Sequence, residues 1–196
     1  MSKADPASQR KERNKAIRWF VTIFLVTIVI SATISFVSEE IMSVSGMAVA
    51  FLILLAIILV GILFDIVGVA VTSADERPFH SMAARKVRGA REAIALLRNA
   101  EKVSSICNDV VGDICGVVSG SASATIAAQI LAKSEFSWPM VVSLVMSALV
   151  AGLTVGGKAI GKTFAINSST AIVYSVGKTL YFWGHLPQIF QKKSKR

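Results

Sequence analysis

Apolar positions in this chain gather into four long blocks rather than following the short periods of a water-soluble core. Residues 19–38, WFVTIFLVTIVISATISFVS, carry no charge, and neither do residues 41–64, IMSVSGMAVAFLILLAIILVGILF. As helices rising 1.5 Å per residue, each is long enough to cross a hydrocarbon layer of about 30 Å. A third block, 103–132, is interrupted by two aspartates, and a fourth, 136–157, opens FSWPMVVSLV and ends LTVGG. The pattern predicts an all-α integral membrane protein of about four transmembrane helices. The intervening segments read differently. Between the second and third blocks Phe79, Ala83, Val87, Ala90, Ile94 and Leu97 recur at three- and four-residue steps with arginines opposite. That spacing predicts one amphipathic helix on the inner membrane surface, with Ser73 and Asp75 as its caps. Near the C-terminus, Ile172, Val176, Leu180 and Trp183 make a second stripe. Tyr181, Phe182 and Trp183 before a lysine-rich tail suit an interface, so an amphipathic helix is expected there rather than a fifth span.

Composition agrees with the pattern. The chain has 196 residues, 54% of them hydrophobic and only 17% charged, too apolar for a soluble domain of that length. Its formal charge of +9 would suit nucleic acid if the cations were clustered. They alternate instead. Lys and Arg number six in 1–18, none around Glu39-Glu40, seven in 73–102, one at Lys133 and seven in 156–196. This positive-inside pattern predicts a cell-membrane protein with both termini and the 73–102 loop in the cytoplasm, and an exterior turn at Ser38–Ser45. The basic surplus then orients the chain and meets anionic lipid, and nucleic acid is not expected as a partner. Block 19–38 is longer than the core of a cleavable signal and lacks a small-x-small site after it, so it reads as an uncleaved anchor.

Chemistry concentrates in the third block, SSICNDVVGDICGVVSGSASATIAAQILA. Asp109 and Asp113, four apart, fall on one face of a helix. Each ionised Asp inside a bilayer costs about 2.5–3.5 kcal/mol on an insertion scale, and a like-charged neighbour adds to that. No Lys or Arg falls within the four blocks, which leaves a bound cation or a shared proton to offset the cost. Asp65, after GILF, and Asn108 add further oxygens, and hard oxygen donors suit Mg²⁺, Ca²⁺ or Mn²⁺ better than zinc or copper. Asp65, Asn108, Asp109 and Asp113 are therefore the candidate metal ligands. The bland alternatives place Asp65 at the headgroups as a solvated cap, and the aspartate pair on a helix start outside the hydrocarbon.

A ladder of Gly112, Gly116 and Gly120 permits close helix approach, within the bundle or at a dimer seam. Gly152, Gly156 and Gly157 suggest a broken helix end lining a cavity. Cys107 and Cys115, eight apart on one helix, are too far apart to bond and read as small apolar residues. GGKAIGKT at 156–163 lacks the spacing and the preceding strand of a phosphate-binding loop. His80 and His185 stand alone in cytoplasmic segments. No nucleophile–base arrangement is present, so the chain is not expected to be an enzyme.

From Phe64 onward the order of features resembles the transmembrane domain of the CNNM/CorC (CorB) family of magnesium transporters. FDIVGVAVTS, Phe64 to Ser73, lies where that family has a phrase like FSASETALTS, and a basic juxtamembrane helical region follows in both. ICNDVVG, Ile106 to Gly112, falls on a phrase like IGNTLVN. Gly157 to Thr163, GKAIGKT, falls on G-E-x-x-P-K-T. The chain departs from the family in carrying Asp65 and Gly68 for its Ser and Glu, Asp109 and Gly112 for its Thr and Asn, and Lys158 and Gly161 for its late Glu and Pro. Asn108 is kept. The resemblance implies a Mg²⁺ site built from side-chain and backbone oxygens, richer here in carboxylate.

It also implies a division of the chain. Residues 1–15 form a polar tail, 16–38 an added N-terminal helix, 41–165 the CNNM/CorC-like domain with its 73–102 loop, and 166–196 an interfacial helix and basic tail. With 196 residues the chain reads as a short form lacking the cytoplasmic CBS pair, with a separate regulatory protein in its place. The expected function is transport of divalent cations, Mg²⁺ first, by a homodimer in the lipid bilayer. Asp109 and Asp113 are the expected primary ligands, Asn108 and Asp65 the auxiliary ones. The alternatives are a carrier or channel for protons or monovalent cations, the aspartates sharing a proton, and a non-transporting membrane component that assembles or regulates a partner.

Overall fold

The computed structural model describes residues 6–133 and 138–193, and every element among them is helical. The outermost residues of the predicted tails, and residues 134–137 where the fourth span was expected to begin, lie outside the described residues. Helix α1 runs Pro6–Val44 and α2 Met47–Ser73; α3 (Arg77–Ala84), α4 (Ala90–Arg98) and α5 (Ala100–Ser105) follow. A π-helical turn, Ile106–Gly112, joins α5 to α6, Asp113–Lys133; α7 is Pro139–Asn167 and α8 Ser169–Lys193. Four stretches are long and apolar enough to cross a membrane: Arg13–Met42, Met47–Ser73, Ala100–Lys133 and Pro139–Asn167. The protein is an all-α, multi-pass membrane protein, and α8 is not among its spans.

Helix α2 stands at the centre, packed against α7, α6, the π turn, α5 and α8. Glycines set these approaches. A Cβ on Gly157 would overlap the Cδ1 of Ile62, and one on Gly161 would come within 2.8 Å of Ile66, so α7 lies directly against α2. Gly61 of α2 likewise faces Cys115 of α6, at 2.9 Å from a would-be Cβ to the cysteine Cβ. Small residues at such crossings let backbones approach and dispersion accumulate, the main attraction available between helices in lipid. Near the Met47 end of α2, Leu54, Ile58, Ile126, Met146 and Val150 close one core. Met42 of α1 joins it, and its carbonyl accepts a hydrogen bond from Gln129 Nε2 at 3.0 Å. At the other end Val71, Phe79, Ala93, Ala165 and Val173 form a second core.

Several elements differ from the sequence pattern. Helix α1 continues to Val44, so the turn after it is Ser45-Gly46, and Ser38 is buried on the helix rather than in a loop. Helix α2 continues two turns past Phe64, which places Asp65 inside the helix. Helix α7 runs unbroken through Gly152, Gly156 and Gly157 to Asn167, so no broken end exists there, and GGKAIGKT is helix interior rather than a loop.

The 73–102 segment is three helices, not one. Lys86 adopts a left-handed conformation (φ 56°), with its N–H bonded to Ala83 O and that of Val87 to Met82 O. That pair of bonds is a Schellman cap, and it ends α3. Neither expected cap holds the N-cap position, which is Glu76: Ser73 ends α2, and Asp75, one residue before the cap, accepts from Arg77 N through its Oδ1 at 3.1 Å. The segment packs on α2 and α8, with Phe79, Ala90 and Ala93 buried by protein, so its apolar stripe faces the fold rather than only a membrane surface. In α8 the inward positions are Val173 and Gly177, while Leu180 and Trp183 are exposed.

Candidate functional site

Asp65 and Gly68, one turn apart on α2, face the π turn and α7 where the two meet. Lys158 of α7 brings its Nζ to 3.9 Å from Asp65 Oδ1, an ion pair too long for a direct hydrogen bond. Its side chain is 28% exposed and that of Asp65 16%. Gly112 lies beside the ammonium: a Cβ there would be in ordinary contact with Lys158 Nζ, at 3.4 Å. Lys158 reaches the site because α7 outruns the predicted block by almost three turns. The span therefore does hold a basic partner for an aspartate, contrary to the expectation that none was present.

Asn108 sits in the π turn. A π turn inserts one extra residue and rotates the side chains that follow, a distortion that recurs at functional sites. Here the Asn108 amide donates from Nδ2 to Ser104 Oγ at 3.2 Å, while its Oδ1 is buried with no partner among the described residues. Gly68 makes room for that oxygen, since a Cβ at residue 68 would overlap it. One further buried oxygen, Thr154 Oγ1, is also without a partner; it lies one turn before Lys158 on α7. A buried carbonyl oxygen left unpaired costs about 1–3 kcal/mol, so the fold keeps Asn108 there against a penalty that a bound cation would remove.

The candidate ligands do not assemble as a group. Asp65 and Asn108 belong to the α2–π turn contact. Asp109 and Asp113 are exposed on the outer face of the same segment, and Asp109 accepts a hydrogen bond from Ser105 Oγ at 2.9 Å. Among the described residues no cluster of three or more His, Cys, Asp or Glu is placed to hold a metal ion. Thr154 is absent from the sequence reading, and Gly68 and Lys158 enter it only as departures from the CNNM/CorC motifs, not as ligands or their partners.

The glycine ladder splits in the same way. Gly112 faces the ammonium, whereas among the described residues no heavy atom lies within 4 Å of a would-be Cβ on Gly116 or Gly120. Cys107 and Cys115 are buried free thiols. His80 is exposed beside Glu76, which also pairs with Arg98; the side chain of His185 lies outside the described residues. A groove of about 530 Å³ between α2 and α7, lined by Phe51, Leu55, Met146 and Leu153, is apolar. No protein-family model, curated protein or solved structure matches the chain.

Proposed function

We propose that this protein is a membrane transporter of divalent cations, Mg²⁺ first, whose ion passes between α2, the π turn and α7. The observation that carries the reading is the buried, unpartnered Oδ1 of Asn108 beside the helix face that holds Asp65. Amide and carboxylate oxygens are the hard donors that Mg²⁺ and Ca²⁺ prefer, and Mg²⁺ keeps several waters while using only one or two carboxylates. Asp65 and Asn108 are then the protein's ligands, with Mg²⁺ as cargo. The resemblance of FDIVGVAVTS, ICNDVVG and GKAIGKT to CNNM/CorC motifs points the same way, and the proposed working form is a homodimer in the bilayer.

Purified protein in vesicles tests it directly. Mg²⁺ should cross the membrane and raise the melting temperature, by mass action about 2.7 kcal/mol at 100 times Kd. Asp65→Asn and Asn108→Ala should abolish both effects. Absence of flux and of stabilisation with Mg²⁺, Mn²⁺ and Ca²⁺ alike would exclude the reading.

One observation favours a second reading. The Lys158 ammonium already neutralises Asp65, as it would in a non-transporting component that keeps the helix arrangement without an ion. That protein would be stable in the absence of divalent cations and indifferent to their addition.

A further inference from the structure

Lys158 carries its charge into the contact between α2, the π turn and α7. Its Nζ sits 3.9 Å from Asp65 Oδ1, both side chains mostly withdrawn from solvent, and in van der Waals reach of Gly112. Among the described residues neither Lys158 nor Asp65 has another ion-pair partner. An ammonium and a divalent cation cannot both occupy this carboxylate at short range, because like charges about 4 Å apart in a partly buried site repel strongly. The lysine stem, four flexible carbons long, allows the ammonium to swing away without moving the helix.

We infer that Lys158 is a tethered cation that fills the ion's place at Asp65 and must leave it before a divalent cation can bind. The inference rests on the transport reading above and adds its gate. Entry of the ion is an exchange: Mg²⁺ gains the Asp65 carboxylate and the unpaired Asn108 oxygen, while Lys158 moves its charge toward the nearer helix end and water, as long basic side chains in membrane helices do. Such an exchange keeps the carboxylate compensated at every stage. It also makes affinity for the ion low by construction, since each binding event displaces a competitor of fixed, high local concentration.

Two measurements test this on the full chain in detergent or nanodiscs. Lys158→Met keeps the stem's bulk and removes the charge, and Mg²⁺ affinity, read by calorimetric titration, should rise about tenfold or more. In the unmodified protein, reactivity of the Lys158 amine toward an acylating reagent, mapped by mass spectrometry, should increase as Mg²⁺ saturates. The second readout needs no variant, so it decides even if Lys158→Met does not fold. Equal Mg²⁺ affinity in parent and variant, with unchanged Lys158 reactivity, overturns the gate and leaves the transport reading standing. No Mg²⁺ binding to either protein overturns both.

Discussion

Gly68 and Asn108 compete for one volume: a Cβ on residue 68 would overlap the Oδ1 of Asn108 and come within 2.8 Å of its Cγ. The glycine is therefore what allows the π turn to lie against α2 with its amide turned inward. Gly68→Ala should cost about 1–3 kcal/mol through overpacking, read as a lower melting temperature in detergent, and should weaken any Mg²⁺ response by displacing Asn108. Adding Asn108→Ala removes the clashing atoms, so the double variant should recover part of the stability lost by Gly68→Ala alone. A Gly68→Ala protein as stable as the parent would mean that the π turn has room to retreat.

Gly89 and Gly177 bring α4 and α8 together in the same manner. A Cβ on Gly177 would lie 2.6 Å from Gly89 O and 2.9 Å from Ala93 N, both backbone atoms that cannot swing aside. Gly177→Ala should destabilise by about 1–3 kcal/mol and should loosen the turn at Arg85–Gly89. Trypsin cleavage after Arg85, Lys86 or Arg88 at native conditions is the measurement, and faster cleavage is expected. An unchanged rate would show that α8 is not what holds this turn.

Fold class was legible because apolar block length is a strong signal: three uncharged runs and one broken by two aspartates match the four helices long and apolar enough to cross a membrane. Helix ends were less legible. The end of α3 is a Schellman cap whose left-handed residue is Lys86 rather than glycine, so the apolar stripe from Phe79 to Leu97 reads straight through the break. The sequence pattern ends the fourth span at Gly157, because glycines and lysines signal an end, whereas here Gly157 and Gly161 are contact points on α2. Ending the span there leaves Lys158, the partner of Asp65, outside it. Asn108 and Asp65 were found as polar residues in apolar blocks. The π turn left no trace in the periodicity, so Asp109 and Asp113 could not be seen to face outward while Asn108 faces in.

Topology is tested at Gly46, exposed in the turn between α1 and α2. With both termini in the cytoplasm, as the alternation of basic residues predicts, a Gly46→Cys variant should react with a membrane-impermeant maleimide on intact cells. Ala95→Cys, exposed on α4, should react only after permeabilisation. The parent sets the background, since Cys107 and Cys115 are buried. The reverse labelling pattern would invert the orientation and place the 73–102 segment outside.

The aspartates of the second and third spans should separate by role. Asp65 lies 16% exposed beside an ammonium, whereas Asp109 and Asp113, in the π turn and at the start of α6, are exposed among the described residues. Removing the Asp65 carboxylate leaves Lys158 partly buried and uncompensated, so Asp65→Asn should be destabilising, by about 1–3 kcal/mol given the residual exposure. Asp65→Asn combined with Lys158→Met should be more stable than Asp65→Asn alone. Asp109→Asn and Asp113→Asn remove no partner's charge, and each lowers the cost of an acid at membrane depth. Both should match or exceed the parent in melting temperature and bind Mg²⁺ within about twofold of it, a change worth under 0.5 kcal/mol. Loss of Mg²⁺ binding in either of these two would return them to the ligand set, and their outward placement would then require a second copy of the chain to complete the site.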